Sequence, residues 1–104
     1  MQIDQAKIRR ESLRWLILLT LNNARPMGAQ ESPILAVAQS IYMDATPLEM
    51  RRELDYLDDR ALVKVTKSPS GPWYAELTRF GVDIAEYTID CEPGIARPAK
   101  YWAG

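Results

Sequence analysis

From Lys7 to Asn23 the apolar residues Ile8, Leu13, Leu16, Ile17 and Leu21 recur at helical spacing, and Trp15, Leu18 and Leu19 add a second apolar flank. This predicts a first helix over 7–23 that is buried on more than one side. A domain of this size has limited core to offer, so the extra flank should meet either the C-terminal helix or a second copy of the chain. Asn23, Pro26 and Gly28 end the helix. Ser32 and Pro33 read as an N-cap and first-turn pair for a second helix over 32–43, with Ile34, Val37, Ala38, Ile41 and Tyr42 as its inward stripe. After a turn at Met43 to Ala45, Thr46, Pro47 and Glu49 form a capping box that opens a third helix over 46–60.

The inward stripe of the third helix is Met50, Leu54, Leu57 and Ala61. A step of about 100° per residue then sets Leu48, Arg52, Asp55, Tyr56 and Asp59 on its outward face. Leu62 to Lys67 and Trp73 to Leu77 alternate in strand fashion around Ser68-Pro69-Ser70-Gly71-Pro72, whose turn chemistry predicts a stiff hairpin loop. Thr78 caps a last helix over 78–90, with Phe80, Ile84 and Tyr87 on one face and Val82, Ala85 and Ile89 on the next. The expected organisation is one domain over 1–91 and an extended Pro/Gly-containing tail over 92–104.

Three helices, a two-stranded hairpin and a closing helix, in that order, predict an α+β winged helix-turn-helix. With 104 residues, 47% of them hydrophobic and 26% charged, the chain suits a single soluble core. The longest apolar run, Trp15 to Leu19, is far too short for a membrane span, and no apolar segment of a signal peptide follows the first charges, which predicts a cytoplasmic protein. One cysteine and no histidine argue against a disulfide, a metal site, a cofactor or His-based catalysis. Asp58 and Asp59 diverge on a helix rather than converge on a substrate, and Cys91 reads as an ordinary thiol, so no enzymatic activity is expected.

LDYLDDRALVKV, the hairpin and then LTRFGVDIAEY resemble the recognition helix, wing and following helix of bacterial and phage winged-helix proteins, with Leu77, Thr78 and Gly81 matching a common Leu-Thr-x-x-Gly start. The whole chain resembles small winged-helix proteins of Mu-like prophages, whose Pro-Gly-aliphatic-x-Arg-Pro ending matches Pro93, Gly94, Ile95, Arg97 and Pro98. The resemblance covers roughly residues 8 to 98 and implies a phage-encoded DNA-binding or assembly-associated protein.

For double-stranded DNA, Arg52 is the candidate for gripping a guanine edge, beside Leu48, Asp55 and Tyr56, and Arg51 is the candidate for a phosphate. Lys64, Lys67, Ser68 and Ser70 on the wing, with Arg97 and Lys100 in the tail, would add backbone contacts. The competing expectation is that both arginines pair with Glu49, Asp55 or Asp59. The net charge of −1 and the acids Glu53, Asp55, Asp58 and Asp59 weigh against DNA. Leu48, Arg52 and Tyr56 in a row also suit a protein hot spot, so a protein-interaction module that binds another phage protein is the rival. Trp15, Leu18, Leu19, Val82, Ala85 and Ile89 are the candidate homodimer interface, and Trp73 reads as a core or wing-packing residue. Tyr101 and Trp102 would either dock on a partner subunit or stand in solvent.

Overall fold

Asp4 accepts a hydrogen bond from the Lys7 N–H at 3.0 Å and starts α1, which runs over Gln5–Ala24 in a computed structural model that describes residues 3–100. The elements that follow are β1 (Ala29–Gln30), α2 (Glu31–Gln39), α3 (Pro47–Asp59), β2 (Val63–Thr66), β3 (Tyr74–Leu77) and α4 (Arg79–Ala85). They form an α+β domain in which four helices pack with a small antiparallel sheet. No helix among the described residues is long and apolar enough to cross a membrane.

The two-sided burial expected of α1 is realised within the chain. Leu13, Ile17, Leu18 and Leu21 are sealed, Trp15 is buried, and α1 packs against α2, α3, α4 and β3. Ile8 departs from the expected stripe because the first turns of α1 stand in solvent.

The sheet has three strands in the order β1-β3-β2, one more than the hairpin predicted from the sequence. Val63 pairs with Leu77 and Val65 with Ala75 on the hairpin, while Ala29 meets Ala75 on the other side. A two-residue strand is too short to show alternation, so β1 left no periodic signal. It also moves the start of α2. The Glu31 N–H donates to the Trp73 carbonyl at 2.9 Å and the Glu31 carboxylate accepts the Trp73 N–H at 3.2 Å, so strand pairing runs into the first helical residue. Gln30 therefore occupies the N-cap without a side-chain cap, and Ser32 and Pro33 fall inside the first turn. Ile34 and Ala38 face inward as expected and Tyr42 is half-buried, but Val37 and Ile41 are exposed.

Thr46 caps α3 by accepting the Glu49 N–H at 3.1 Å, and Met50, Leu54 and Leu57 are buried as the stripe predicted. Ala61 is not part of that stripe. The helix closes first: the Leu62 N–H donates to the Leu57 carbonyl and the Ala61 N–H to the Asp58 carbonyl, each at 2.9 Å, in a Schellman turn that sets Ala61 at φ 62°. α4 ends the same way at Ala85, with Thr88 donating to Asp83 and Tyr87 at φ 61°, so the predicted helix over 78–90 is cut short.

The tail packs onto the body through its described part. Ile95 is buried, the Ala96 N–H donates to the Glu11 carbonyl at 3.1 Å, and Arg97 donates to the carbonyls of Ile84 in the last turn of α4 and of Ile89 beyond it. The Tyr87 ring meets Trp15 edge-on at 5.9 Å and its hydroxyl donates to the Pro98 carbonyl at 2.7 Å, which anchors a residue in an unfavourable backbone region. Tyr101 and Trp102 lie outside the described residues.

Ala61 is exposed and carries the left-handed torsion with no ring to hold it. Ala61→Gly should raise stability by about 0.5–1 kcal/mol, the strain relieved less the entropy that glycine adds to the unfolded chain. Thermal unfolding measures it, and a lowered midpoint would refute the assignment of strain.

Candidate macromolecule-binding face

α3 has four sides, and three of them are closed by the rest of the chain. Met50, Leu54 and Leu57 face the core. Towards the sheet, Arg51 donates from Nε and Nη2 to the two Glu31 oxygens at 2.6 and 2.5 Å, and its guanidinium lies 4.7 Å from the Trp73 ring centroid. Lys67 sits 4.7 Å from the same ring and 2.9 Å from the Asp55 carboxylate, so Trp73 is held between two cations that are each paired with an acid. Towards the tail, Glu53 is buried and accepts from Arg14 Nε at 2.7 Å, while Arg14 Nη1 donates to the Gly94 carbonyl at 2.9 Å. Tyr56 lies between Arg14, 3.4 Å from its centroid, and Arg60, 4.4 Å away, and Arg60 in turn pairs with Glu92.

The start of α3 is tied to α1. Arg9 donates twice to Glu49, at 2.7 and 2.9 Å, reaches Asp44 at 2.9 Å, and lies 4.8 Å from the Tyr42 centroid. Hydrogen bonding to Glu49 raises the already high pKa of Arg9, and the same guanidinium lowers that of Asp44. The Arg51 guanidinium likewise holds the Glu31 carboxyl below its ordinary range, and Glu31 raises Arg51. Burial pushes the Cys91 thiol up, away from reactivity at neutral pH.

The residues expected to contact DNA therefore separate into engaged and open groups. The expectation that Arg51 and Arg52 pair with Glu49, Asp55 or Asp59 fails for both, because Arg51 is committed to Glu31 of α2 and to Trp73, while Glu49 and Asp55 are taken by Arg9 and Lys67. Asp55 and Lys67 satisfy each other. Tyr56 was expected on the outward face and is instead half-buried beside the tail; a Cβ on Gly94 would reach within 2.2 Å of its hydroxyl. Arg97 caps the end of α4 and lies 4.3 Å from the Tyr87 ring, with Lys100 at 5.7 Å from the same ring. Leu48, Arg52, Lys64, Ser68 and Ser70 are exposed, and among the described residues Arg52 has neither an ion pair nor a hydrogen bond from its side chain. Lys64 stands opposite Glu76 in the hairpin register.

In the set expected to pair two copies, Trp15, Leu18 and Ala85 are buried within one chain, and Leu19, Val82 and Ile89 are half-buried. Trp15, Leu18 and Ala85 are thus taken up within the chain, while Leu19, Val82 and Ile89 keep part of their surface. Trp73 packs against the core from the sheet, as its strand position implied.

A different surface is open. Val37, Ile41, Met43 and Leu48 are exposed, and between Ser32 and Leu48 the only charged residue is Asp44, which Arg9 neutralises. Helical hydrogen bonding continues from Ala38 to Tyr42, so Val37 and Ile41 sit one turn apart on one side. Met43 follows in the turn and Leu48 in the first turn of α3. The signal in the sequence was the lack of charge across the second helix, which a reading of apolar residues as core passed over. No protein-family model, curated protein or solved structure matches this chain.

Because the carboxyl of Glu31 is lowered by Arg51, the stability it contributes is fully present above its ordinary value of 4.5 and is lost as pH falls through the lowered value. Glu31→Gln should reduce stability at pH 7 and flatten the acid limb of the stability–pH curve. Denaturant unfolding from pH 7 down to the acid transition checks this, and parallel curves for the two proteins would refute it.

Proposed function

We propose that this chain is a winged helix-turn-helix that acts by binding a protein, without catalysis, through the corner where α2 turns into α3. The element order α1-β1-α2-α3-β2-β3-α4 supports the fold reading, with α2 and α3 as the helix-turn-helix and β2 and β3 as the wing. One observation carries the functional reading. Two of the cations expected to face DNA, Arg51 and Lys67, are paired within the chain and leave Arg52 and Lys64 open, whereas the turn between the two helices is apolar and nearly uncharged.

The energetics favour the same side. Freeing Arg51 for a phosphate would exchange two charge-assisted hydrogen bonds, each worth about 1.5–3 kcal/mol, for contacts of the same kind, with no gain to hold a duplex. Arg52 would be left on the solvent face of α3 with Asp59, an acid that a phosphate-lined groove repels. Interface cores between proteins, by contrast, are depleted of charge and enriched in methionine and other apolar residues. Together with the resemblance to small prophage winged-helix proteins, this favours a role in phage assembly or packaging over operator binding.

Selection from a pool of random duplexes at low and moderate salt tests the reading. We expect no enriched site and a log–log salt slope shallower than about −2, fewer ionic contacts than a specific reader makes. Enrichment of one site, with preference relaxed by Arg52→Ala, would overturn it in favour of DNA.

A further inference from the structure

One surface shows what it binds, because a segment of the chain lies on it. Glu92 to Pro98 contains neither helix nor strand, turns once at Pro93 and Gly94, and is held by groups on α1, α3 and the end of α4. Glu92 pairs with Arg60 at 3.1 Å, and the Gly94 carbonyl accepts from Arg14 Nη1 at 2.9 Å. Ile95 enters the core, and the Pro98 carbonyl accepts from the Tyr87 hydroxyl at 2.7 Å. Gly94 has φ 104°, and a Cβ there would strike the Tyr56 hydroxyl, so the position requires glycine. We infer that Glu92 to Pro98 is a displaceable strap, and that in its place this surface takes a partner protein's segment offering an acid, a glycine two residues on and an aliphatic residue directly after it. None of these residues belongs to the apolar corner of α2 and α3.

The strap is held mainly by groups that water can replace. Among the described residues, the bond from the Ala96 N–H to the Glu11 carbonyl is the one backbone–backbone hydrogen bond that Glu92 to Pro98 makes with the rest of the chain, and Ile95 is its one buried residue. The bonds from the Arg14, Arg60, Arg97 and Tyr87 side chains are polar, so opening exchanges them for bonds to water. Glu53 keeps Arg14 Nε when Gly94 leaves, and no buried charge is stranded. Release bares Tyr56 and frees Arg60, which continue Leu48 and Arg52 along α3 at four-residue steps of about 6 Å. Two guanidiniums around a ring suit an acidic segment. The socket of Ile95 and the grip of Arg14 on a carbonyl suit a polypeptide, whereas a phosphate backbone offers neither an aliphatic anchor nor an amide. A second copy's strap would only remake bonds already made within one chain, at the cost of the freedom of two separate chains, which leaves another protein as the occupant.

Two measurements test the strap and its replacement. In the unsubstituted chain, amide hydrogen exchange should run at least about tenfold faster at Ala96 than at Leu18 in α1, because the strap opens without the core. Equal rates would make the strap part of the core and overturn the inference. Gly94→Val ejects the strap while keeping every charge, and circular dichroism checks that it is folded; loss of the fold counts against the strap in the same way. Calorimetric titration with the acetylated peptide Glu-Pro-Gly-Ile-Ala-Arg-Pro-Ala-Lys should show binding to Gly94→Val at least about tenfold tighter than to the unsubstituted chain, whose own tethered strap competes. Glu92→Lys in the peptide should weaken that binding by about tenfold. No binding to Gly94→Val, or equal binding to both chains, would overturn the inference. Uptake of a mixed-sequence DNA duplex by Gly94→Val in place of the peptide would assign the bared stripe to nucleic acid. A dimer of the unsubstituted chain that Gly94→Val abolishes would assign it to a second copy, and either result removes the protein occupant.

Discussion

Arg51 joins three parts of the chain at once, and the arrangement of α2 against α3 depends on that junction. Its two hydrogen bonds to Glu31 tie α3 to the first turn of α2, and its planar face on Trp73 ties both to the sheet. Glu31 in turn accepts the Trp73 N–H and donates its own to the Trp73 carbonyl, so the same residue closes β1 against β3. A guanidinium suits this position because it offers a bidentate fork and a stacking plane together, which an ammonium cannot. Lys67 lies 4.7 Å from the Trp73 ring centroid as well and satisfies Asp55.

A second arrangement of the same kind closes the opposite flank of α3, where Tyr56 lies between Arg14 and Arg60 and the tail is drawn in by Arg14 and Glu92. The two sandwiches leave α3 a narrow solvent face. That face carries Leu48, Arg52 and Asp59, and its apolar end continues into the uncharged turn from α2. Of the cations on α3 and the hairpin, Arg51, Arg60 and Lys67 are thus paired within the chain, and Arg52 and Lys64 are left open. This is why the proposed partner is a protein.

Much of the architecture was legible where periodicity or capping chemistry is local. The Thr46 cap set the start of α3 within a residue, although the Glu49 carboxylate of the expected capping box goes to Arg9 instead, Thr78 caps α4 by accepting the Gly81 N–H, and Val63 and Val65 alternate as a strand should. What escaped the sequence depends on contacts far along the chain. β1 exists because β3 offers it an edge, and α2 begins at Glu31 because Trp73 and Arg51 hold that residue there. The Schellman ends of α3 and α4 are normally marked by glycine, and here Ala61 and Tyr87 take its place, so both helices read as longer than they are. The candidate site suffered most from this. A helical wheel could set Arg51 and Tyr56 near the solvent side of α3, but not reveal that α2, the sheet and the tail would enclose them. The exposed apolar corner was hidden for the converse reason, since Val37 and Ile41 fit the inward period of a helix whose buried side is narrower than its apolar one.

Arg51 is locked into the fold while Arg52, its neighbour in sequence, is open. Hydrogen exchange at the arginine Nε–H groups, followed by nitrogen-15 NMR, reads this directly. Arg9, Arg14 and Arg51, whose Nε–H groups donate to carboxylates at 2.6 to 2.7 Å, should exchange far more slowly than Arg52. Exchange at Arg51 as fast as at Arg52 would contradict it.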